Sequence, residues 1–342
     1  MRGDAPLQPV VRYLVTGGAG FIGSHLVEAL AARGDQVLIL DDLSTGERSN
    51  VEHLLSAGNV ELRVGSILDE ELVDECVGAV DACYHLASAV GVQLVVSRPL
   101  DTLLCNVRGT DIVISAAVRH GRRLLFTSTS EIYGKNSTGS LDEQSDRILG
   151  SPLKARWGYS TAKAFGEALA HGYARECGAE IVIARLFNTV GPRQKGVYGM
   201  VLPRFVHQAL AGEDLTVYGT GTQSRCFVHV ADTVHALSLL LDTDEALGDV
   251  FNVGSSVEVP IIELAAKVIE RTDSRSRVRL IPYESAYGDG FEELGRRKPD
   301  TTKLEELTSW QTSRTLDETI DDVIAYARSE SAGLRQRLEL AG

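Results

Sequence analysis

Tyr159 and Lys163, in the run Tyr159-Ser-Thr-Ala-Lys163, are the pair of side chains in this sequence best suited to chemistry. Four residues apart on a helix they share one face, so the Lys163 ammonium is expected beside the Tyr159 phenol, where it favours the ionised form. A phenolate next to a nicotinamide can take the proton of an alcohol while hydride leaves the same carbon. Upstream, Thr16-Gly-Gly-Ala-Gly-Phe-Ile-Gly23 follows an apolar strand and spaces Gly17, Gly20 and Gly23 as GxxGxxG. Without side chains such a turn can approach a pyrophosphate, and the helix that follows offers it free N–H groups. Together the two motifs imply redox chemistry on an alcohol.

The elements that must hold these residues alternate between strand and helix. Tyr13 to Thr16, Val37 to Leu40, Val60 to Val64, Ala82 to Leu86, Leu124 to Thr127 and Ile181 to Arg185 read as strands. Helices are expected over Phe21 to Arg33, about Leu100 to His120, and Tyr159 to Glu176. This is the pattern of an α/β fold with a doubly wound parallel sheet. After Asn188-Thr-Val-Gly-Pro-Arg193 the elements shorten, with helices near Pro203 to Ala211, Ala231 to Leu241, Ile261 to Glu270 and Leu316 to Tyr326. Residues 1–190 are therefore expected to form a Rossmann-type domain and 191–329 a smaller lobe, with 330–342 a frayed helix or tail. Asp41 ends the second strand, 24 positions after Gly17. There a carboxylate can accept from both ribose hydroxyls and would repel a 2′-phosphate, which favours NAD over NADP.

Bulk properties narrow the partners. The chain has 342 residues, 44% of them hydrophobic, enough for a large core. Its net charge of −13 argues against nonspecific nucleic-acid binding. No apolar run approaches the ~20 residues of a transmembrane helix, and the opening Met-Arg-Gly-Asp-Ala-Pro lacks the apolar region of a signal peptide, so a cytoplasmic location is expected. Cys76, Cys83, Cys105, Cys177 and Cys226 show no CxxC spacing, and neither a disulfide framework nor a metal site is expected.

The glycine turn, Asp41, Thr127-Ser-Thr-Ser-Glu-Ile-Tyr-Gly134 and the Tyr159/Lys163 pair, in that order, resemble the extended short-chain dehydrogenase/reductase family of nucleotide-sugar epimerases, dehydratases and decarboxylases. The resemblance runs from about Tyr13 to about Ala327. It implies that the smaller lobe closes over a nucleotide-sugar, and that two copies pair the long helix after Asp101 and the Tyr159 helix into a four-helix bundle. It also implies that Thr129 hydrogen-bonds the sugar 4-OH, Tyr159 is the base and Lys163 its electrostatic partner. Phe21, Ile22, Ile67, Leu86 and Asn106 match positions lining the cofactor, and Ser66 stands where the family usually has the Asp that holds the adenine. Val90, Arg185, Asn188 and Arg193 match substrate-side positions, and Arg225 the arginine that clamps the UDP phosphates.

Glu131 discriminates among reactions. The 4,6-dehydratases carry Asp-Glu after the Thr, whereas here the pair is Ser130-Glu131, the pattern of UDP-glucuronate decarboxylases. Arg296-Arg-Lys-Pro-Asp300 resembles the Arg-Lys-Pro segment of those enzymes, whose arginine, Arg297 here, faces the sugar near C4 and C5. The chemistry implied is hydride transfer from C4 to NAD, loss of CO₂ from the resulting β-keto acid, and release of UDP-4-keto-pentose or its reduction to UDP-xylose. A UDP-hexose or UDP-hexuronate 4-epimerase is the alternative, since Arg185-Leu-Phe-Asn-Thr-Val-Gly-Pro-Arg193 is equally at home there. A dinucleotide-binding scaffold without turnover is a third reading, disfavoured by the intact Thr129, Tyr159 and Lys163.

Overall fold

The computed structural model describes residues 10–89, 99–154, 156–196, 200–283 and 295–341, with side chains to residue 332. Val90 lies outside the described residues.

Seven strands build one parallel sheet: β1 (Arg12–Thr16), β2 (Gln36–Asp41), β3 (Val60–Val64), β4 (Ala82–His85), β5 (Arg123–Thr129), β6 (Ile181–Leu186) and β11 (Val250–Val253), in the spatial order β11-β6-β5-β4-β1-β2-β3. Its inner strands are almost wholly buried because helices cover both faces. Alternation sorts their side chains between two cores: Tyr13, Val15, Val37 and Ile39 pack on one side, and Leu14, Leu38 and Leu40 on the other. The strand order reverses between β1 and β4, the switch point at which open α/β sheets bind ligands beyond the strand C-termini. The six strands read from the sequence are present within one or two residues of their expected ends. The seventh, β11, was not foreseen. Its four residues carry too short an apolar run to be told from a loop, and pairing with β6 completes it.

The helices that place the motifs are α1 (Phe21–Ala32), α2 (Glu52–Leu55), α3 (Glu70–Gly78), α4 (Pro99–Leu104), α5 (Thr110–Arg119) and α6 (Arg156–Cys177). The expected long helix from Leu100 to His120 is α4 and α5 joined by a π-helical stretch, Cys105–Gly109. Such widened turns re-aim a side chain at low cost. Here the turn carries the buried Asn106.

Beyond β7 (Thr189–Val190) come α7 (Val201–Ala211), β8 (Leu215–Tyr218), β9 (Ser224–Cys226), β10 (Val228–His229) and α8 (Val230–Asp242). After β11 follow β12 (Glu258–Pro260), α9 (Ile261–Thr272), β13 (Val278–Ile281), α10 (Thr302–Thr308) and α11 (Leu316–Ala341). Leu202, Phe205, Leu264 and Ile324 close a separate core among α7, α9 and α11. The backbone of α11 stays helical to Ala341.

Candidate active site

The turn between β1 and α1 is shaped by its glycines. Gly17 has φ of +72°, and a Cβ there would lie 2.8 Å from the Ala87 backbone nitrogen. A Cβ on Gly23 would stand 2.1 Å from the Gly17 carbonyl oxygen. The turn thus curls tightly onto the start of α1, whose N-cap, Gly20, makes no side-chain cap bond. Free N–H groups of the first helical turn face a cleft of about 200 Å³. Gly17, Gly20, Phe21, Ile22, Gly23, Asp41, Ile67 and Leu86 all line that cleft, as do Ala87 and Ser88 of the run His85-Leu-Ala-Ser88, which also matches cofactor-lining positions of the family, and Asp42, Ser44, Thr45 and Ala89, which the sequence reading missed.

Asp41 holds the floor of the cleft. Its two oxygens accept from the Ala19 and Leu43 N–H groups, each at 2.9 Å, while burial pushes its carboxyl upward against those bonds. Each oxygen keeps a lone pair for another donor. Ser66 is not among the lining residues, and its hydroxyl accepts from Leu68 N–H at 3.2 Å. Asn106 acts from behind, accepting from the Ser88 hydroxyl at 2.8 Å and Ala89 N–H at 3.0 Å, and donating to the Ala89 carbonyl at 2.9 Å. A cradle with φ-positive glycine, uncapped helix N–H groups and a buried carboxylate at the end of β2 fits the pyrophosphate and ribose of NAD.

Tyr159 and Lys163 sit one turn apart on α6, as expected. The helix lies close against β5 because Gly166 leaves room: a Cβ there would meet Phe126 Cζ at 2.7 Å. Lys163 Nζ donates to the Thr127 carbonyl at 2.9 Å and lies 4.9 Å from the centroid of the Phe126 ring. Burial lowers its ammonium to about 8, against Cys105 and Glu167. Tyr159 hydrogen-bonds Ser88 and Thr129, and burial raises its phenol to about 12. Burial thus opposes ionisation of the phenol in the protein alone. Desolvation, with the Glu131 charge added to it, outweighs the hydrogen bonds to Ser88 and Thr129. Ser88 gives its hydrogen to Asn106 and so can accept from the phenol, while Thr129 takes the Glu131 N–H on one lone pair.

Glu131 stands in the short turn Ser130–Tyr133 that follows β5. Its Oε1 accepts from Arg297 Nη1 at 2.8 Å, and its Oε2 lies 3.6 Å from Arg156 Nη2. Burial works to raise its carboxyl, but Arg297, then Arg156, and at longer range Arg225 hold it below the usual carboxylate range. Arg297 is 5% exposed, and its segment is pinned by Leu141 N–H to the Lys298 carbonyl and Asp300 N–H to the Leu141 carbonyl, both 2.8 Å. Its neighbour Arg296 turns instead to Glu258. Arg156 carried no assignment in the sequence; its only signal was its place in Ala155-Arg-Trp-Gly-Tyr-Ser160.

The remaining substrate-side candidates separate. Arg185 is 8% exposed and committed to Glu167, the Tyr133 hydroxyl and the Glu143 carbonyl, a network joining β6 to α6. Asn188 donates to the Cys226 carbonyl at 3.1 Å with φ of +24°. Arg193 binds Glu28 and Ser24 of α1 and lines a different hollow of about 650 Å³ with Glu47, Lys195, Arg204 and Tyr326. Arg225, on β9, donates to its own neighbour's carbonyl at Ser224.

A profile of the NAD dependent epimerase/dehydratase family matches residues 13–254. The chain is similar to the UDP-N-acetyl-alpha-D-glucosaminuronate decarboxylase of Bacillus cytotoxicus, 40% identical over 318 residues, covering 93% of this chain and 98% of that protein. It is 35% identical over 321 residues to UDP-glucuronic acid decarboxylase 1 of Xenopus tropicalis, covering 93% of this chain and 72% of that one. The UDP-glucose 4-epimerase of Thermus thermophilus in complex with NAD has a similar structure, with a TM-score of 0.81, 29% identity, and coverage of 93% and 99% of the two chains.

Proposed function

The chain belongs to the NAD-dependent epimerase/dehydratase family of enzymes, and within it we propose an NAD-dependent UDP-glucuronate decarboxylase that forms UDP-4-keto-pentose, UDP-xylose or both. The observation that carries this reading is the Glu131–Arg297 pair beside the Tyr159–Thr129 hydroxyls. Ser130 stands where dehydration needs an acid, and the carboxylate beside it, Glu131, is held by arginine. The names of the relatives at 35% and 40% identity support the same class of reaction.

NAD held by Gly17, Gly20, Gly23 and Asp41 supplies a hydride acceptor for C4 and a positively charged ring that favours an ionised neighbour. Tyr159 takes the C4 hydroxyl proton, and Thr129 orients that oxygen through its own hydroxyl. The buried Lys163 ammonium adds positive charge beneath the phenol. Once C4 is a ketone, the C5–C6 bond breaks, its electrons delocalise into the C4 enolate, CO₂ leaves and C5 takes a proton. The nucleotide would lie against residues 191–329, where Arg225 is the match to the arginine that clamps the UDP phosphates.

The same reading includes a homodimer through α4 and α6, supported by Leu100, Leu104 and Phe165, which are 65%, 41% and 44% exposed on those helices. It also places the enzyme in the cytoplasm, in keeping with five free cysteines. Among the described residues no helix is long and apolar enough to cross a membrane. The test is incubation with NAD and UDP-glucuronate, and in parallel UDP-N-acetylglucosaminuronate, following CO₂ and the nucleotide masses. Release of CO₂ with a pentose nucleotide, suppressed in Glu131→Ala, is expected. UDP-galacturonate with all carbons retained, and no pentose nucleotide at any time, would instead identify a 4-epimerase.

A further inference from the structure

The side chains around Glu131 are arranged as an anion site already filled by the protein's own carboxylate. Three guanidinium groups, those of Arg297, Arg156 and Arg225, act on this one acid. The bond from Arg297 is short at 2.8 Å, whereas Arg156 stops at 3.6 Å, an ion pair without a hydrogen bond. Arg297 also reaches the Ser130 hydroxyl at 3.3 Å, yet its Nε is buried with no hydrogen-bond partner among the described residues. A guanidinium presents a planar fork suited to a carboxylate, and a buried donor left unmet costs free energy that an incoming acceptor would recover. The Arg297 fork thus keeps one donor for a further acceptor.

Position decides which anion that is. Glu131 follows Thr129 by two residues, and its charge is felt at Tyr159, so the arginines face the end of the site where the C4 hydroxyl reacts. In a nucleotide sugar acid the C6 carboxylate is two bonds from C4, while the diphosphate leaves from C1 across the ring. We infer that Arg156, together with Arg297, reads the carboxylate of an acidic sugar, with Glu131 holding its place until that sugar arrives. The inference rests on the nucleotide-sugar reading above and makes Arg156 the residue that separates acidic from neutral sugars. Its place at the first position of α6, one turn before Tyr159, couples recognition of the carboxylate to the helix that carries the base.

The experiment is titration of the NADH-saturated protein, in which sugars are bound but not oxidised, with UDP-glucuronate, UDP-glucose and UDP. Wild type should prefer UDP-glucuronate to UDP-glucose. Arg156→Gln should lose about 10- to 100-fold in affinity for UDP-glucuronate, the range of one charge-assisted hydrogen bond, while UDP-glucose and UDP change less than about threefold. Arg156→Lys, which keeps the charge without the fork, should fall between. A melting curve and NADH titration of each variant identify any that fail to fold, and Lys then serves in place of Gln. Equal losses for all three ligands would make Arg156 a phosphate ligand and overturn the inference, as would unchanged affinity for all three. Turnover is not read in this titration. Absence of CO₂ from wild type would remove the decarboxylase while leaving the carboxylate preference standing, and loss of that preference would do the reverse.

Discussion

Adding one methyl group at Gly23 and, separately, at Gly20 should part the folding role of the glycine turn from its binding role. At Gly23 the new Cβ would lie 2.1 Å from the Gly17 carbonyl oxygen and 2.8 Å from the Gly18 Cα, both backbone atoms. The shortest distance that real Cβ atoms show is 3.0 Å, so the turn and α1 must separate by about 0.9 Å. Overpacking of this kind costs about 3 kcal/mol, offset by about 1 kcal/mol because alanine favours a helix interior. The net is a loss of about 2 kcal/mol. At about 2.1 cal/mol/K per residue, 342 residues give an unfolding entropy of about 0.7 kcal/mol/K, so Gly23→Ala should melt about 3 °C lower. Gly20 differs. Its φ of −77° and ψ of −176° suit alanine, and the new Cβ meets only the Gly17 oxygen, at 3.1 Å. That methyl stands in the cleft instead of the fold, and the melting temperature should move by less than about 1 °C. Melting curves with and without NAD read both effects. NAD at 100 times its Kd should stabilise wild type by about 2.7 kcal/mol, or about 4 °C. Both variants should lose most of that increment. An NAD shift of wild-type size in Gly20→Ala, or an unchanged melting temperature in Gly23→Ala, would refute the assignment of the turn.

Tyr159→Phe removes the hydroxyl held by Ser88 and Thr129 and should lower kcat by ~10²–10⁴-fold with NAD still bound; wild-type turnover would take Tyr159 out of the mechanism. With the Lys163 ammonium lowered to about 8 by burial, the positive charge beneath the phenol is present below that pH and lost above it, so kcat should fall on an alkaline limb near pH 8. A rate still level at pH 10 would contradict the ammonium's role. Asp41→Asn removes the charge that opposes a 2′-phosphate, and should narrow the preference for NAD over NADP in parallel titrations; an unchanged ratio would place the carboxylate away from the ribose. Charging the exposed face with Leu104→Glu and Phe165→Glu together should convert a dimer to a monomer by light scattering, and a variant that stays dimeric would move the interface elsewhere.

The sheet and its cofactor cleft were legible because their signals are local. Alternating apolar runs fix the six strands from β1 to β6, and the spacing of Gly17, Gly20 and Gly23 fixes a turn that cannot close with side chains present. The helical period likewise sets Tyr159 and Lys163 on one face. What a residue touches across the chain was not legible. Arg185 and Arg297 look alike as isolated arginines, yet Glu167 and Tyr133 draw the first into the scaffold while the second meets Glu131. Arg156 gains meaning only when the start of α6 is brought against the turn after β5. Helical spacing put the lysine one turn from the phenol, but spacing carries no information on the burial of either group. Burial, which depends on the whole packed interior, lowers Lys163 and raises Tyr159 beyond anything that spacing reports. Sequence determined the elements, because backbone geometry and hydrophobic period act over a few residues. Tertiary structure decided the pairings and the charges, because desolvation and ion pairing depend on groups far apart in the chain.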